Sequence, residues 1–249
     1  MQIIKGFKFI RAYASGKSHV KADLNLIMTM VNELDKNCDK KLKKRFNENP
    51  YSKLFYKQEN LKDTVLRSRY KKGTLGAELK TFWKNNSDDL FQKNFDISQT
   101  KGKKNIAFMK GLLNEHDIIH CVNKLDSTPL AEVSVLGFTL AKGFRLSFFY
   151  ICLASVLLAL KNSFGKKAIQ GSLFFKLKYM PVISVIRLIL EGYFNGKKTA
   201  WFMTVDWHSH LRKPIEEVRQ ELNIKNFPVW EDIKPCLLYT SDAADEITG

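Results

Sequence analysis

The longest stretch without a charged residue, at positions 146–160, restricts the folds that this 249-residue chain can adopt. Its fifteen residues are fewer than the roughly 20 that a transmembrane helix needs. They suit a helix that other helices bury on all sides; the alternative is a helix that lines an apolar ligand channel or lies in a bilayer. Only 6 prolines and 13 glycines interrupt the chain, which favours long helices over many short strands. The sequence therefore predicts an all-α fold, a single multi-helix domain.

A helical hairpin is predicted between positions 105 and 142. Residues 105–124 have a helical apolar period, and His116 and His120 lie on its stripe. The Asp-Ser-Thr-Pro sequence at 126–129 is typical of a helix start, with a capping hydroxyl followed by proline in the first turn. The second helix then runs through Glu132, so the turn can bring this carboxylate back towards the two imidazoles.

Four side chains of this hairpin form a candidate metal site. His116 and His120 are four residues apart, so they project from one helix face about 6 Å apart along the axis and can bind one ion. Asp117 is turned about 100° away from His116. It can bind at the edge of the site or hold a ligand histidine or a metal-bound water from behind. Glu132, which is separated from His120 by eleven residues, completes the set.

Two imidazoles with one or two carboxylates suit zinc, iron(II) or manganese and leave coordination positions open, as in catalytic sites. Two other interpretations use the same residues. The zinc protease signature has glutamate where Asp117 stands, and the His-Asp doublet of metal-dependent phosphohydrolases needs ligands beyond the isolated His19. A further helix is predicted at 200–210. His208 and His210, two positions apart on it, face different directions and are predicted to be partly exposed polar residues.

The formal net charge of +16 suggests a polyanionic partner. The lysines are scattered in short clusters, and neither a zinc finger nor an aromatic RNA-binding pattern is present, so we predict no nucleic-acid partner. An anionic membrane surface and a merely solvated lysine-rich surface remain as alternatives. The 4 cysteines fit no disulfide framework, which favours a reducing compartment.

The last residues of the chain differ in character from the rest. Positions 236–246 read Cys-Leu-Leu-Tyr-Thr-Ser-Asp-Ala-Ala-Asp-Glu, which looks like a translated sequencing adapter. A disordered acidic tail is the alternative interpretation. We therefore predict one domain over residues 1–235 and a non-native tail over 236–249.

Three motifs together resemble a known family. The first is His-Asp-x-x-His, eleven residues, then Glu, formed by His116, Asp117, His120 and Glu132. The others are Gly-Thr-Leu-Gly at 73–76, and Asp-Trp at 206–207 followed by Pro-Ile-Glu-Glu-Val-Arg at 214–219. In their order and spacing they resemble the coenzyme Q (ubiquinone) biosynthesis protein family, number four, up to about residue 224.

The resemblance implies an all-α fold, a divalent metal (zinc, iron or manganese) and a long-chain isoprenoid or quinone-precursor lipid. It also implies peripheral membrane attachment, on the bacterial cytoplasmic face or the matrix side of the mitochondrial inner membrane. Other quinone-biosynthesis proteins are the implied partners, and a homodimer is left open. The family is associated with organising a quinone-biosynthesis complex and with oxidative decarboxylation of the precursor ring at C1, a lyase-type activity, although no catalytic residue is assigned. A metal-dependent hydrolase of an unrelated substrate and a non-catalytic lipid-binding scaffold are the alternatives.

Overall fold

The computed structural model describes residues 44, 47, 48, 61–85, 114–143, 146–164 and 182–233. In these ranges the regular elements are helices, and the one β-bridge pairs Thr74 with Pro214, so the predicted all-α fold is confirmed. The predictions for 105–113 and for the tail after 235 lie outside the described residues. The helices are α1 Leu61–Arg67, α2 Leu75–Asn85, α3 114–122, α4 Pro129–Lys142, α5 Leu146–Phe164, α6 Val182–Lys198, α7 Trp207–His210, α8 Ile215–Glu221 and α9 228–233.

Helices α4 and α6 pack with their backbones in direct contact. A Cβ atom on Gly192 would lie 2.1 Å from the carbonyl oxygen of Ser134, and one on Gly196 would lie 2.6 Å from that of Phe138. In the opposite direction, a Cβ atom on Gly137 would lie 2.2 Å from the carbonyl oxygen of Ile189. Small residues four apart allow helices to approach this closely. The contact fixes α4, and thus the start of α4 near Glu132, against the rest of the core.

The turn before α2 is joined to the segment before α8 by backbone hydrogen bonds. Ile215 N donates to Gly73 O at 2.9 Å, and Leu75 N donates to Lys213 O at 3.0 Å. Gly73 has φ +80°, a conformation in which other residues are strained. Two sequence stretches that are about 140 positions apart are therefore neighbours. Their hydrogen bonds fix the start of α2, the helix whose Phe82 and Trp83 contact α3 of the hairpin.

Helix α5 is more exposed than the sequence predicts. It begins at Leu146 as expected and continues to Phe164. Tyr150, Ile151 and Ala154 are buried, but Phe149 and Leu160 are exposed, so the prediction of a helix buried on all sides is wrong at these positions. Nothing in the described ranges meets the length and hydropathy of a membrane-crossing helix.

The region after α6 departs from the predicted single helix at 200–210. A 3-10 turn at Phe202–Thr204 and the short α7 replace it. Phe202, Met203, Val205 and Trp207 are all buried, and this spacing does not fit one face of a helix. Helix α9 was not predicted.

The start of α9 is held by a side chain of α6. Glu191 accepts hydrogen bonds from Val229 N at 2.8 Å and Trp230 N at 3.3 Å. Burial raises the pKa of this carboxyl group, although the two amides oppose the shift. The carboxylate therefore satisfies backbone donors that the first turn of α9 leaves open.

Candidate metal centre

The turn between α3 and α4 is built from local side-chain and backbone contacts. Lys124 adopts φ +56°, and Leu125 N donates to His120 O at 2.9 Å, which ends α3. Asp126 Oδ1 accepts from Thr128 N at 2.9 Å. The predicted cap is confirmed: Thr128 accepts from Ala131 N, and Pro129 stands in the first turn of α4. The turn therefore folds α4 back against α3.

Folding back brings Glu132 to both histidines. Its Oε2 lies 3.1 Å from His116 Nε2, and its Oε1 lies 3.0 Å from His120 Nε2. The ligand atoms of the three residues lie within 4.8 Å of one another. His116 and Glu132 are 24% and 29% exposed, whereas His120 is buried. The group is thus enclosed on one side and accessible on the other.

His120 presents a lone pair to the centre of this group. Its Nδ1 lies 2.8 Å from the carbonyl oxygen of Asp126, which only accepts, so Nδ1 carries the proton in the neutral ring. Nε2 then has a lone pair, and it makes no hydrogen bond of acceptable geometry despite its 3.0 Å distance to Glu132. A buried lone pair facing a carboxylate is unfavourable without a proton or a cation between them. These residues therefore fit a divalent metal ion.

The charges of the group shift its pKa values strongly. Burial lowers the pKa of His116, but Glu132 and Asp117 outweigh that effect and hold it well above its usual range. Burial raises the pKa of Glu132, but the positive charge that His120 and His116 carry when they are protonated outweighs that effect and holds the pKa well below its usual range. A divalent cation at this position would compete with a proton for His116, so binding of the cation would weaken as the pH falls.

Asp117 lies behind the group and is not one of its three converging residues. Its Oδ1 is 3.4 Å from His116 Nδ1, and its Oδ2 accepts a hydrogen bond from Trp83 Nε1 at 2.6 Å. These contacts favour the interpretation in which Asp117 supports a ligand histidine. Its inclusion among the metal ligands stays a prediction.

Comparison with known proteins decides the family. The model of the coenzyme Q (ubiquinone) biosynthesis protein Coq4 family matches residues 36–228. The chain belongs to the Coq4 family. Membership assigns it a role in ubiquinone biosynthesis. No curated protein sequence matches the chain.

A solved structure supports the same fold. The crystal structure of a protein from Nostoc punctiforme PCC 73102, provisionally assigned to ubiquinone biosynthesis, superposes with a TM-score of 0.58 at 17% sequence identity. The match covers 89% of this chain and 95% of that one. At this identity the likeness establishes the fold alone.

The C-terminal motif at 214–219, which resembles Coq4 sequences, contacts the C-terminal end of α3 in the hairpin. The buried Arg219 donates through Nη1 to Val122 O, at the end of α3, and through Nη2 to Asn226 Oδ1 at 2.7 Å. Its Nε lies 3.3 Å from Glu216 Oε2. A guanidinium group at a helix C-terminus satisfies open carbonyl groups and complements the helix dipole. The sequence carries no local signal for this role, although Arg219 lies in the motif at 214–219.

Two aromatic residues of α2 were also missed. Phe82 stacks on the His120 ring with centroids 5.5 Å apart, and the neighbouring Trp83 binds Asp117. Both residues fit an ordinary apolar helix face, so the sequence carries no signal that separates them from core residues.

His208 and His210 lie apart from the group formed by His116, His120 and Glu132, and they are partly exposed, as predicted. His210 Nδ1 lies 2.7 Å from Asp206 O, and its Nε2 lies 3.1 Å from Glu221 Oε2. In the part of the chain that the structure describes, His116, His120 and Glu132 are the one group of three or more histidine, cysteine, aspartate or glutamate residues whose ligand atoms converge.

Proposed function

We propose that this Coq4 family member binds one divalent cation through His116, His120 and Glu132 and uses it in ubiquinone biosynthesis. The observation that carries the proposal is the buried Nε2 of His120, whose lone pair faces Glu132 while Nδ1 is held by a backbone carbonyl. Histidine ligands of metals are commonly oriented in this way through the second ring nitrogen. Two nitrogen donors and a carboxylate suit zinc, iron(II) or manganese.

Three protein ligands leave room for a substrate on the exposed side of the site. A bound cation there supplies Lewis acidity and a positive charge that can anchor a carboxylate. We propose that the ligand is a quinone precursor with a ring carboxyl group. Oxidative decarboxylation would replace that group by a hydroxyl whose oxygen comes from water, release carbon dioxide, and pass two electrons and two protons to an oxidant such as dioxygen, which would leave as hydrogen peroxide. Phe82 stacks on His120 and Trp83 binds Asp117, so these two residues of α2 cover the inner side of the site.

An exposed face of α6 supports contact with a membrane and its lipids. Ile183, Leu190 and Phe194 are 61%, 46% and 55% exposed, and their spacing places them on one side of the helix. Arg187 and Lys197 are exposed on the same helix. An apolar stripe with basic neighbours is typical of helices that lie in the headgroup region of an anionic bilayer. We propose that the protein attaches peripherally to the membrane through this face. At the membrane surface it would contact isoprenoid precursors and other quinone-biosynthesis proteins.

Removing one histidine tests the metal site. We expect the purified wild-type protein to contain about one equivalent of divalent metal by elemental mass spectrometry, because three donors converge. His120→Ala should reduce the bound metal to background, whereas His208→Ala, on α7, should retain it. Metal content unaffected by His120→Ala in a folded protein would contradict the proposal.

A charge placed on the apolar stripe tests the membrane contact. Phe194→Glu should weaken binding to phosphatidylglycerol-containing vesicles about tenfold or more, because burial of a phenylalanine contributes about 1.5–3 kcal/mol. Gln220→Glu adds the same charge at an exposed position of α8 and should have a much smaller effect. Vesicle sedimentation measures both variants. Equal binding by the two variants would show that the α6 face does not meet the membrane.

A further inference from the structure

Trp83 and Asp117 form a buried pair directly behind one ligand of the candidate metal site. The indole Nε1 donates to Asp117 Oδ2 at 2.6 Å, a short hydrogen bond to a carboxyl oxygen. Both side chains are buried, and the residues are 34 positions apart in the sequence. Because indole nitrogen is a donor only, the direction of this bond is fixed.

The pair acts on His116. Adjacent residues of a helix point about 100° apart, so Asp117 and His116 do not face each other by helix geometry alone. Oδ1 nevertheless lies 3.4 Å from His116 Nδ1, near the limit of a hydrogen bond. Trp83 holds the other oxygen of the carboxylate, which restrains Oδ1 in this position.

We propose that Trp83 is a positioning residue for the metal site, which acts through Asp117 to fix the orientation and tautomer of His116. With Nδ1–H directed at Asp117, His116 presents the Nε2 lone pair to the side where Glu132 Oε2 lies at 3.1 Å. Outer partners of this kind typically change metal affinity by about 10- to 100-fold. The inference rests on the proposed metal site and deepens it.

The second ligand histidine is held by different means. His120 Nδ1 is fixed by the backbone carbonyl of Asp126 within the hairpin itself, and its ring stacks on Phe82. The indole of Trp83 thus controls His116 selectively. A variant that lacks the indole N–H should disturb one ligand and leave the other in place.

The test uses cobalt(II), whose visible absorption reports the ligands around it. Trp83→Phe retains an aromatic ring and removes the N–H, so we expect a folded protein with about 10- to 100-fold weaker cobalt(II) binding and altered absorption bands. Trp230→Phe is the matched control. Trp230 is equally buried, and its Nε1 makes no hydrogen bond with the residues that the structure describes. That control should bind cobalt(II) as the wild type does.

A double-mutant cycle separates action through Asp117 from a general packing effect. If Trp83 acts through Asp117, Trp83→Phe should add little to the loss caused by Asp117→Asn. In a complementary measurement that leaves the indole in place, Asp117→Ala should shift the Trp83 indole proton resonance more than those of the other three of the 4 tryptophans. Additive losses, or an unshifted Trp83 resonance, would overturn the inference.

The outcomes also distinguish this inference from the proposed metal site. Wild-type affinity and an unchanged spectrum in Trp83→Phe would refute the positioning role while leaving the site intact. A wild-type protein that binds no cobalt(II) would refute the metal site and the positioning role together.

Discussion

Alanine in place of Gly192 is expected to destabilise the protein by about 3–5 kcal/mol, because overpacking at a rigid backbone contact lies at the upper end of mutational effects. The new Cβ atom would lie 2.1 Å from the carbonyl oxygen of Ser134 and 3.0 Å from the amide nitrogen of Phe138. Both neighbours are backbone atoms, so the clash cannot be relieved by turning a side chain. Helices α4 and α6 must move apart, and the small-residue packing between them is lost.

Thermal denaturation measures this effect. With a total stability of roughly 5–15 kcal/mol, such a loss should lower Tm by roughly 6–20 °C. Lys198→Ala, at an exposed position of the same helix, is the control and should shift Tm by no more than a few degrees. A Gly192→Ala protein as stable as the wild type would mean that the two helices do not pack as closely as described.

The same substitution should affect the candidate metal site. Ser134 is two residues beyond Glu132 on α4, so a displacement at Gly192 reaches the carboxylate that faces both histidines. At a temperature where the variant is still folded, its metal affinity should also be reduced. The helix packing thus connects the stability of the core to the geometry of the site.

Alanine in place of Glu132 is expected to abolish the biological function. The carboxylate faces both imidazoles, at 3.1 and 3.0 Å, and among the described residues it is the one carboxylate grouped with both of them. Loss of a direct ligand should weaken metal binding by more than the roughly 100-fold typical of outer partners. A strain that lacks its Coq4 family member should therefore produce ubiquinone when given the wild-type gene and only background amounts when given Glu132→Ala.

Two comparisons make this result interpretable. Glu231→Ala removes an exposed carboxylate on α9 and should rescue quinone production fully. Glu132→Ala protein that is folded and still associates with its partners, but yields no quinone, would favour chemistry at the metal over a purely structural role. Full rescue by folded Glu132→Ala would contradict a functional metal at this position.

Short-range patterns in the sequence were sufficient to predict the hairpin. The spacing of His116 and His120, the cap at Thr128 and the proline that follows it each depend on interactions within a few residues. The helix at 200–210 was predicted wrongly for the converse reason. Its buried residues are placed by packing against distant segments, and tertiary packing overrides local propensity there.

The sequence by itself determined the all-α fold and the residues of the candidate site, because helical period and capping are local properties of the chain. The tertiary structure alone decided how those residues are held. Trp83 reaches Asp117 across 34 positions, and Arg219 reaches Val122 across 97. Contacts over such separations depend on how whole helices pack, and a single sequence has no period or spacing that records them.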